Sequence, residues 1–124
     1  MNMESDDVEI VVDGQSGSGV LVSTGVGESV LDRIPMVMVT RTGSSARFAA
    51  VIEPRKDRGE SSVDDVVTSV NGEAISVTVI LKDGSREVFD LDLRGRERDV
   101  VGERLSEAFV AVRVDGDGVR SRLY

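Results

Sequence analysis

Three arginines, Arg94, Arg96 and Arg98, stand at alternate positions near the end of the chain. In an extended backbone this spacing lines up guanidinium groups in one row, and forked donors in a row suit the oxygens of a carboxylate or a sulfate. They are the candidate ligand-binding residues. The same stretch carries Glu97, Asp99 and Glu103, so mutual ion pairing on a solvated edge competes with ligand contact. Charge on an edge strand also discourages strand addition. A second basic cluster, Arg55, Lys56 and Arg58, is diluted by Asp57 and Glu60 and is open to the same two readings.

Other groupings point to structure more than to chemistry. Asp115-Gly116-Asp117-Gly118 offers alternating carboxylates for a hard cation, but an EF-hand loop needs further oxygen ligands and a distal Glu. Val119-Arg120 follow instead, and a plain turn is the simpler reading. Asp64-Asp65 and the Asp90/Asp92 pair raise glycoside hydrolysis, which requires two carboxylates across a cleft, one with a raised pKa. Asp90 and Asp92 fall on one strand face, read here as outward and solubilising. Serines are plentiful, but the chain has no histidine, so no Ser-His pair exists, and no Ser-Lys arrangement stands out. Gly14-Gln15-Ser16-Gly17 is too loose for a phosphate loop. Tyr124, the one tyrosine, is the last residue. No catalytic residue, metal site or cofactor is assigned, and the chain is expected not to be an enzyme by itself.

The bulk composition narrows the partners. There is no cysteine, hence no disulfide and no thiolate metal site. A formal charge of −8 repels nucleic acid and anionic membranes at long range. Thirteen of the fifteen basic residues are arginine, Lys56 and Lys82 being the exceptions. An acid excess with arginine in place of lysine fits a high-salt cytoplasm, and a GC-rich genome gives the same arginine bias. No apolar run reaches the ~20 residues of a membrane span. The acidic N-terminus does not look like a signal peptide, which implies a cytoplasmic location if the chain is complete.

The elements that must carry these residues are strands. Val8–Val12 and Val20–Ser23 are short β runs, the second interrupted by Gly25 and Gly27. Residues 35–41 are apolar on both faces in their first half and read as a central strand covered above and below. Residues 47–53 place Phe48, Ala50 and Ile52 on one face, with Pro54 ending the strand. Val63–Val70 fits a bulged strand or one helical face; its β-branched content favours the strand. Asn71-Gly72 is a turn signal. Ile75–Leu81 alternates, with Ile75, Val77, Val79 and Leu81 inward. Register then decides the following loop. A two-residue turn at Asp83-Gly84 would put the apolar stripes of the two strands on opposite faces. A three-residue loop, Lys82-Asp83-Gly84, pairs Val77 with Phe89 and Ile75 with Leu91, and it gives Gly84 the left-handed position. Residues 94–104 form an edge strand with loops around Val100-Val101. Val110, Val112 and Val114 alternate against Phe109, Ala111 and Arg113, and a final strand spans Val119–Leu123. About eight to ten short strands with Gly-containing turns predict an all-β, antiparallel β-sandwich, jelly-roll-like. Residues 1–7 are expected to be a disordered tail and residues 8–124 a single domain.

One stretch resembles a known family. Arg41-Thr42-Gly43, then Ala46 to Pro54 (ARFAAVIEP), Gly59 and Val63, and Val77 to Gly84 (VTVILKDG) are similar to the C-terminal β-domain of heparinase II/III-like polysaccharide lyases, over about residues 34–93. In that family an (α/α) toroid precedes the sheet domains, and elimination uses Tyr and His with Asn and Arg at their interface. No position here matches those residues. The resemblance therefore implies a non-catalytic β-sandwich that packs against a catalytic lyase-like domain or subunit, with polysaccharide as a possible further partner. The alternative is a stand-alone carbohydrate-binding or protein-interaction module, although only Phe48, Phe89 and Phe109 could stack on sugar rings, and each is expected in the core.

Overall fold

A computed structural model describes residues 6–29, 31–56 and 59–123. Among them eleven strands and no helix are found, and every pairing is antiparallel, so the chain is all-β. The strands are β1 (Asp6–Val12), β2 (Ser18–Val26), β3 (Arg33–Arg41), β4 (Ala50–Lys56), β5 (Val63–Asn71), β6 (Ala74–Leu81), β7 (Arg86–Leu91), β8 (Arg98–Val100), β9 (Glu103–Leu105), β10 (Phe109–Val114) and β11 (Arg120–Arg122). The described chain divides into two compact units: Gly14–Arg47, which holds the β2–β3 hairpin, and the remainder.

The larger unit is organised by a five-stranded sheet in the order β11-β10-β7-β6-β5. Its register follows from the turn between β6 and β7. Ile75 pairs with Leu91 and Val77 with Phe89; Leu81 N–H donates to the Ser85 carbonyl at 2.9 Å, and Gly84 has φ +84°. The three-residue loop is thus the observed one, because only it keeps the two apolar stripes on one face. On that face Val63, Val66 and Val79 form a buried cluster joined by Val77, Leu81 and Phe89, and it is covered by Val11 of β1 and by Ala49 and Val51 around the start of β4. A bulge between Val63 and Asp65 brings Val63 and Val66 to the same side, which explains a spacing that fits a helix equally well. On the opposite face Val110, Val112 and Val114 are buried against Val101 and Leu105 of the β8–β9 hairpin.

Several boundaries and faces differ from those the sequence suggests. β1 begins at Asp6, two residues before the expected strand; Met1–Ser5, most of the expected tail, lie outside the described residues. β4 runs through Pro54 because it pairs only with β1, and an edge position tolerates a missing N–H. Ala49, just before it, and Val51 pack inward, whereas Phe48, Ala50 and Ile52 are exposed, so Phe48 is not in the core as expected. Phe109 is exposed as well, and Phe89 is the phenylalanine that packs on the core. β2 passes through Gly25, and β3 begins at Arg33, so Pro35 lies inside it. β3 is not a covered central strand: it pairs with β2 alone, and Met36, Val37 and Met38 are exposed. Residues 98–105 form a hairpin of two short strands rather than one edge strand. Its two-residue turn has positive φ at both Val101 (52°) and Gly102 (77°), the backbone of a type I′ turn.

A carboxylate clamp ties β4 to the start of β5. Ser61 Oγ donates to Glu53 Oε2 at 2.6 Å, and the Ser62 amide and hydroxyl donate to the same carboxylate. Those donors, the Ser61 hydroxyl first, lower the Glu53 pKa from 4.5 to about 2. A carboxylate whose folded pKa is depressed stabilises fully above its unfolded value and loses that contribution as pH falls toward the folded one. Stability should therefore decline between about pH 4.5 and pH 2, and Glu53→Gln should flatten that part of a urea-denaturation profile while lowering stability at neutral pH. Val66→Ala and Val110→Ala, each at a side chain 1% exposed, should each cost about 2 kcal/mol. Because the two valines lie on opposite sheet faces with separate neighbours, the double variant should add to within ~0.5 kcal/mol.

Candidate functional site

The face of the sheet that carries Val88 turns polar along β7. Pairing places Asp90 beside Ser76 and Val110, and Val88 beside Thr78 and Val112. Past β7 the chain reverses sharply. Asp92 accepts the Arg94 amide at Oδ1 (3.0 Å), its carbonyl accepts the Gly95 amide (2.8 Å), and its own amide donates to the Ala108 carbonyl (2.8 Å). Gly95 has φ +58°, and a Cβ there would stand 2.8 Å from the Ser106 carbonyl oxygen, so glycine is required. This reversal carries the arginines back over the acids they follow.

The result is a nested pair of ion pairs. Arg98 Nε donates to Asp90 Oδ1, with each side chain 9% exposed; Arg98 Nη1 donates to the Arg96 carbonyl at 3.0 Å. Arg96 Nε donates to Asp92 Oδ2 at 2.8 Å, and Arg96 Nη1 and Arg94 Nη1 reach Glu73 Oε2 at 3.2 and 3.3 Å. The Arg96 hydrogen bond holds the Asp92 carboxyl below the usual range against the opposing effect of burial, and raises the Arg96 pKa in turn. Beside this network lies a cleft of about 590 Å³, lined by Ser69, Asn71, Ser76, Thr78, Arg98 and neighbouring residues.

The three candidate arginines therefore do come close together, though not as an extended row: Arg94 is in a turn, Arg96 in a loop, and only Arg98 begins a strand. Their partners are Asp90, Asp92 and Glu73, not Glu97, Asp99 or Glu103; Arg104 takes Glu97 instead. Asp90 and Asp92 are buried rather than outward and solubilising, because the β8–β9 hairpin and its leading loop cover their face. A carboxylate held ionised by a guanidinium has no proton to donate, so Asp92 is ill suited to act as a general acid near neutral pH. Sequence reasoning missed Glu73, Ser76 and Thr78. The available signal was the charge order in Asp90-Leu91-Asp92-Leu93-Arg94-Gly95-Arg96-Glu97-Arg98, a mirror arrangement about Arg94 that pairs 90 with 98 and 92 with 96 once the glycine folds it back.

The remaining candidates are structural where they are described. Asp115 Oδ1 accepts the amides of Asp117 (3.1 Å) and Val119 (2.7 Å), so this Asp-Gly segment is a turn closed by its own carboxylate. Asp65 Oδ1 accepts the Val66 amide at the bulge. Arg55 pairs with Glu9 at 3.2 Å and donates to the Gly59 carbonyl; Asp57, Arg58, Tyr124 and the Lys56 side chain lie outside the described residues. Among those residues no cluster of metal-binding side chains occurs, and no helix is long and apolar enough to cross a membrane. No protein-family model, curated protein or solved structure matches the chain.

The burial gradient along the arginines fixes their energetic weight. Removing one partner of a buried pair leaves the other charge uncompensated, at roughly 3–5 kcal/mol. Arg98→Ala should fall in that range, whereas Arg94→Ala, at an exposed side chain, should change stability by less than ~0.5 kcal/mol. Urea denaturation of the two variants would show the contrast; equal losses would mean that the Asp90–Arg98 pair is not buried in solution.

Proposed function

We propose that the chain is a non-catalytic β-module that packs against a larger catalytic domain or subunit of the heparinase II/III-like lyase type, with the β2–β3 hairpin as its docking surface. The observation that carries this reading is the hairpin's apolar exposure. Val20, Val22, Val37 and Val39 share one face by register, and Leu21, Ile34, Met36 and Met38 share the other. Val22 is 73% and Val20 66% exposed, and Leu21, Ile34, Met36, Val37 and Met38 are exposed as well. A two-stranded ribbon is marginal in water on its own, and apolar side chains on both sides of one leave two open edges and two sticky faces. An apolar partner covering them supplies what the ribbon lacks.

The resemblance over residues 34–93 supplies the class of partner, and a sequence without histidine or cysteine supports a role in packing rather than in proton transfer. The reading is tested by co-expressing the chain with a toroidal lyase-like polypeptide encoded alongside it or joined to it. The two should comigrate in gel filtration, and Val22→Asp with Val37→Asp should weaken the complex about thirtyfold or more, as loss of a central apolar contact does. Unsaturated product released from uronate polymers by the chain alone, or full binding by the charged variant, would overturn it.

A further inference from the structure

The two long edges of the β2–β3 ribbon are not equivalent. Gly27 N–H donates to the Asp32 carbonyl at 3.0 Å and Thr42 N–H to the Gly17 carbonyl at 3.3 Å. Both bonds continue the β2–β3 register, so the odd-numbered residues of β2 turn their amides toward β3. Alternation along an antiparallel ladder sends the amides of Ser18, Val20, Val22, Thr24 and Val26 outward. On β3 the outward set is Arg33, Pro35, Val37, Val39 and Arg41. Pro35 has no N–H to offer and arginines stand at both ends of the strand, the usual means of closing an edge. β2 carries neither proline nor charge from Ser18 to Val26. Among the described residues it pairs with β3 alone.

An open edge of this kind takes up another strand through its backbone, and charge selects which one. The unit that holds the ribbon, Gly14–Arg47, has the acids Glu28 and Asp32 and the bases Arg33, Arg41 and Arg47. Three bases against two acids give it +1, in a chain of formal charge −8. Two copies that meet here avoid the acid excess each carries elsewhere. Antiparallel pairing also sets the Glu28–Asp32 turn of each ribbon beside the Arg41 end of the other. A two-stranded ribbon is marginal in water, whereas more strands sharing an apolar face are stable. Two joined ribbons put Val20, Val22, Val37 and Val39 of both copies on one such face. The closed β3 edges then lie outermost and end the assembly at a symmetric pair.

We propose that β2 pairs with the β2 strand of a second copy of this chain, antiparallel about a two-fold axis at Val22, to build a four-stranded sheet. Full overlap of Ser18–Val26 requires that axis. Ser18 then faces Val26 of the second copy, Val20 faces Thr24, and Val22 faces itself. At each of these positions outward amides meet outward carbonyls, so every such pair exchanges both of its backbone hydrogen bonds. The pairing uses the edge of the ribbon and leaves its faces open, so it does not rest on the docking reading.

Sedimentation of the purified chain at about 100 μM should show a dimer of twice 13.3 kDa. Thr24→Pro deletes one outward donor per copy and leaves the β2–β3 ladder and the apolar side chains in place. It should raise the dissociation constant about tenfold to a hundredfold. Val39→Pro deletes a donor from the β3 edge instead and should leave the dimer unchanged, with the urea midpoint checking that each variant folds. Because the chain has no cysteine, Val22→Cys puts a single thiol on the axis, within disulfide reach of its mate. It should crosslink under mild oxidation, whereas Val20→Cys should not, and this arm holds even if a proline variant unfolds. A monomer at that concentration would refute the pairing. So would a dimer that survives Thr24→Pro in folded form, one weakened as much by folded Val39→Pro, or crosslinking no faster at Val22→Cys than at Val20→Cys. Comigration with a lyase-like partner should persist in Thr24→Pro, so the two readings fail separately.

Discussion

Between Asp90 and Arg98 two opposite charges meet with about a tenth of each side chain in water, on a sheet whose buried apolar side chains are mostly valine. Taking either charge out of water alone costs several kcal/mol. Each is tolerable only because the other is delivered to it, and delivery depends on the reversal at Asp92–Gly95. That turn also seats the β8–β9 hairpin, whose Val101 and Leu105 cover Val110, Val112 and Val114. The polar cleft and the second apolar cluster are thus consequences of one fold-back.

Valine explains the rest of the architecture. With few aromatic residues, no single side chain fills much volume, and a sheet must be covered on both faces to exclude enough water. One face takes β1 and β4, the other the short β8–β9 pair. That pair needs a tight turn, and the chain places Val101 at positive φ, a strained choice for a β-branched residue. The strain is offset by Val101 packing on the valine cluster beneath it. An asparagine would suit the turn better and the core worse.

Much of the central sheet was legible from side-chain alternation. The register argument at Lys82-Asp83-Gly84 worked because two adjacent strands carried long, clean stripes, and only one loop length aligned them. The same reasoning failed at residues 47–53, where Phe48 was expected in the core and the face it shares with Ala50 and Ile52 is the exposed one. It failed again at Pro35–Arg41, since apolar residues on both faces normally imply a covered strand, whereas Met36, Val37 and Met38 are exposed. Arg94, Arg96 and Arg98 were visible as a group, but their partners were not. Pairing across Gly95 is a property of a turn, and a reading based on strand spacing treats every residue as extended.

The insertion of β2 and β3 between β1 and β4 bears on how the molecule assembles. Val12 and Ala50 are neighbours in the folded chain but distant along it, and closing so long a loop costs entropy before any contact is gained. A ribbon whose two strands are joined by a short connection needs no such closure and can zip early, on the microsecond scale of hairpins. Once it has, only the short connectors at Asp13–Gly17 and Thr42–Ala49 remain to be ordered, and β1 meets β4 across a far smaller gap. The same hairpin thereby acts as an internal splint, shortening the loop that must close before β1 can meet β4.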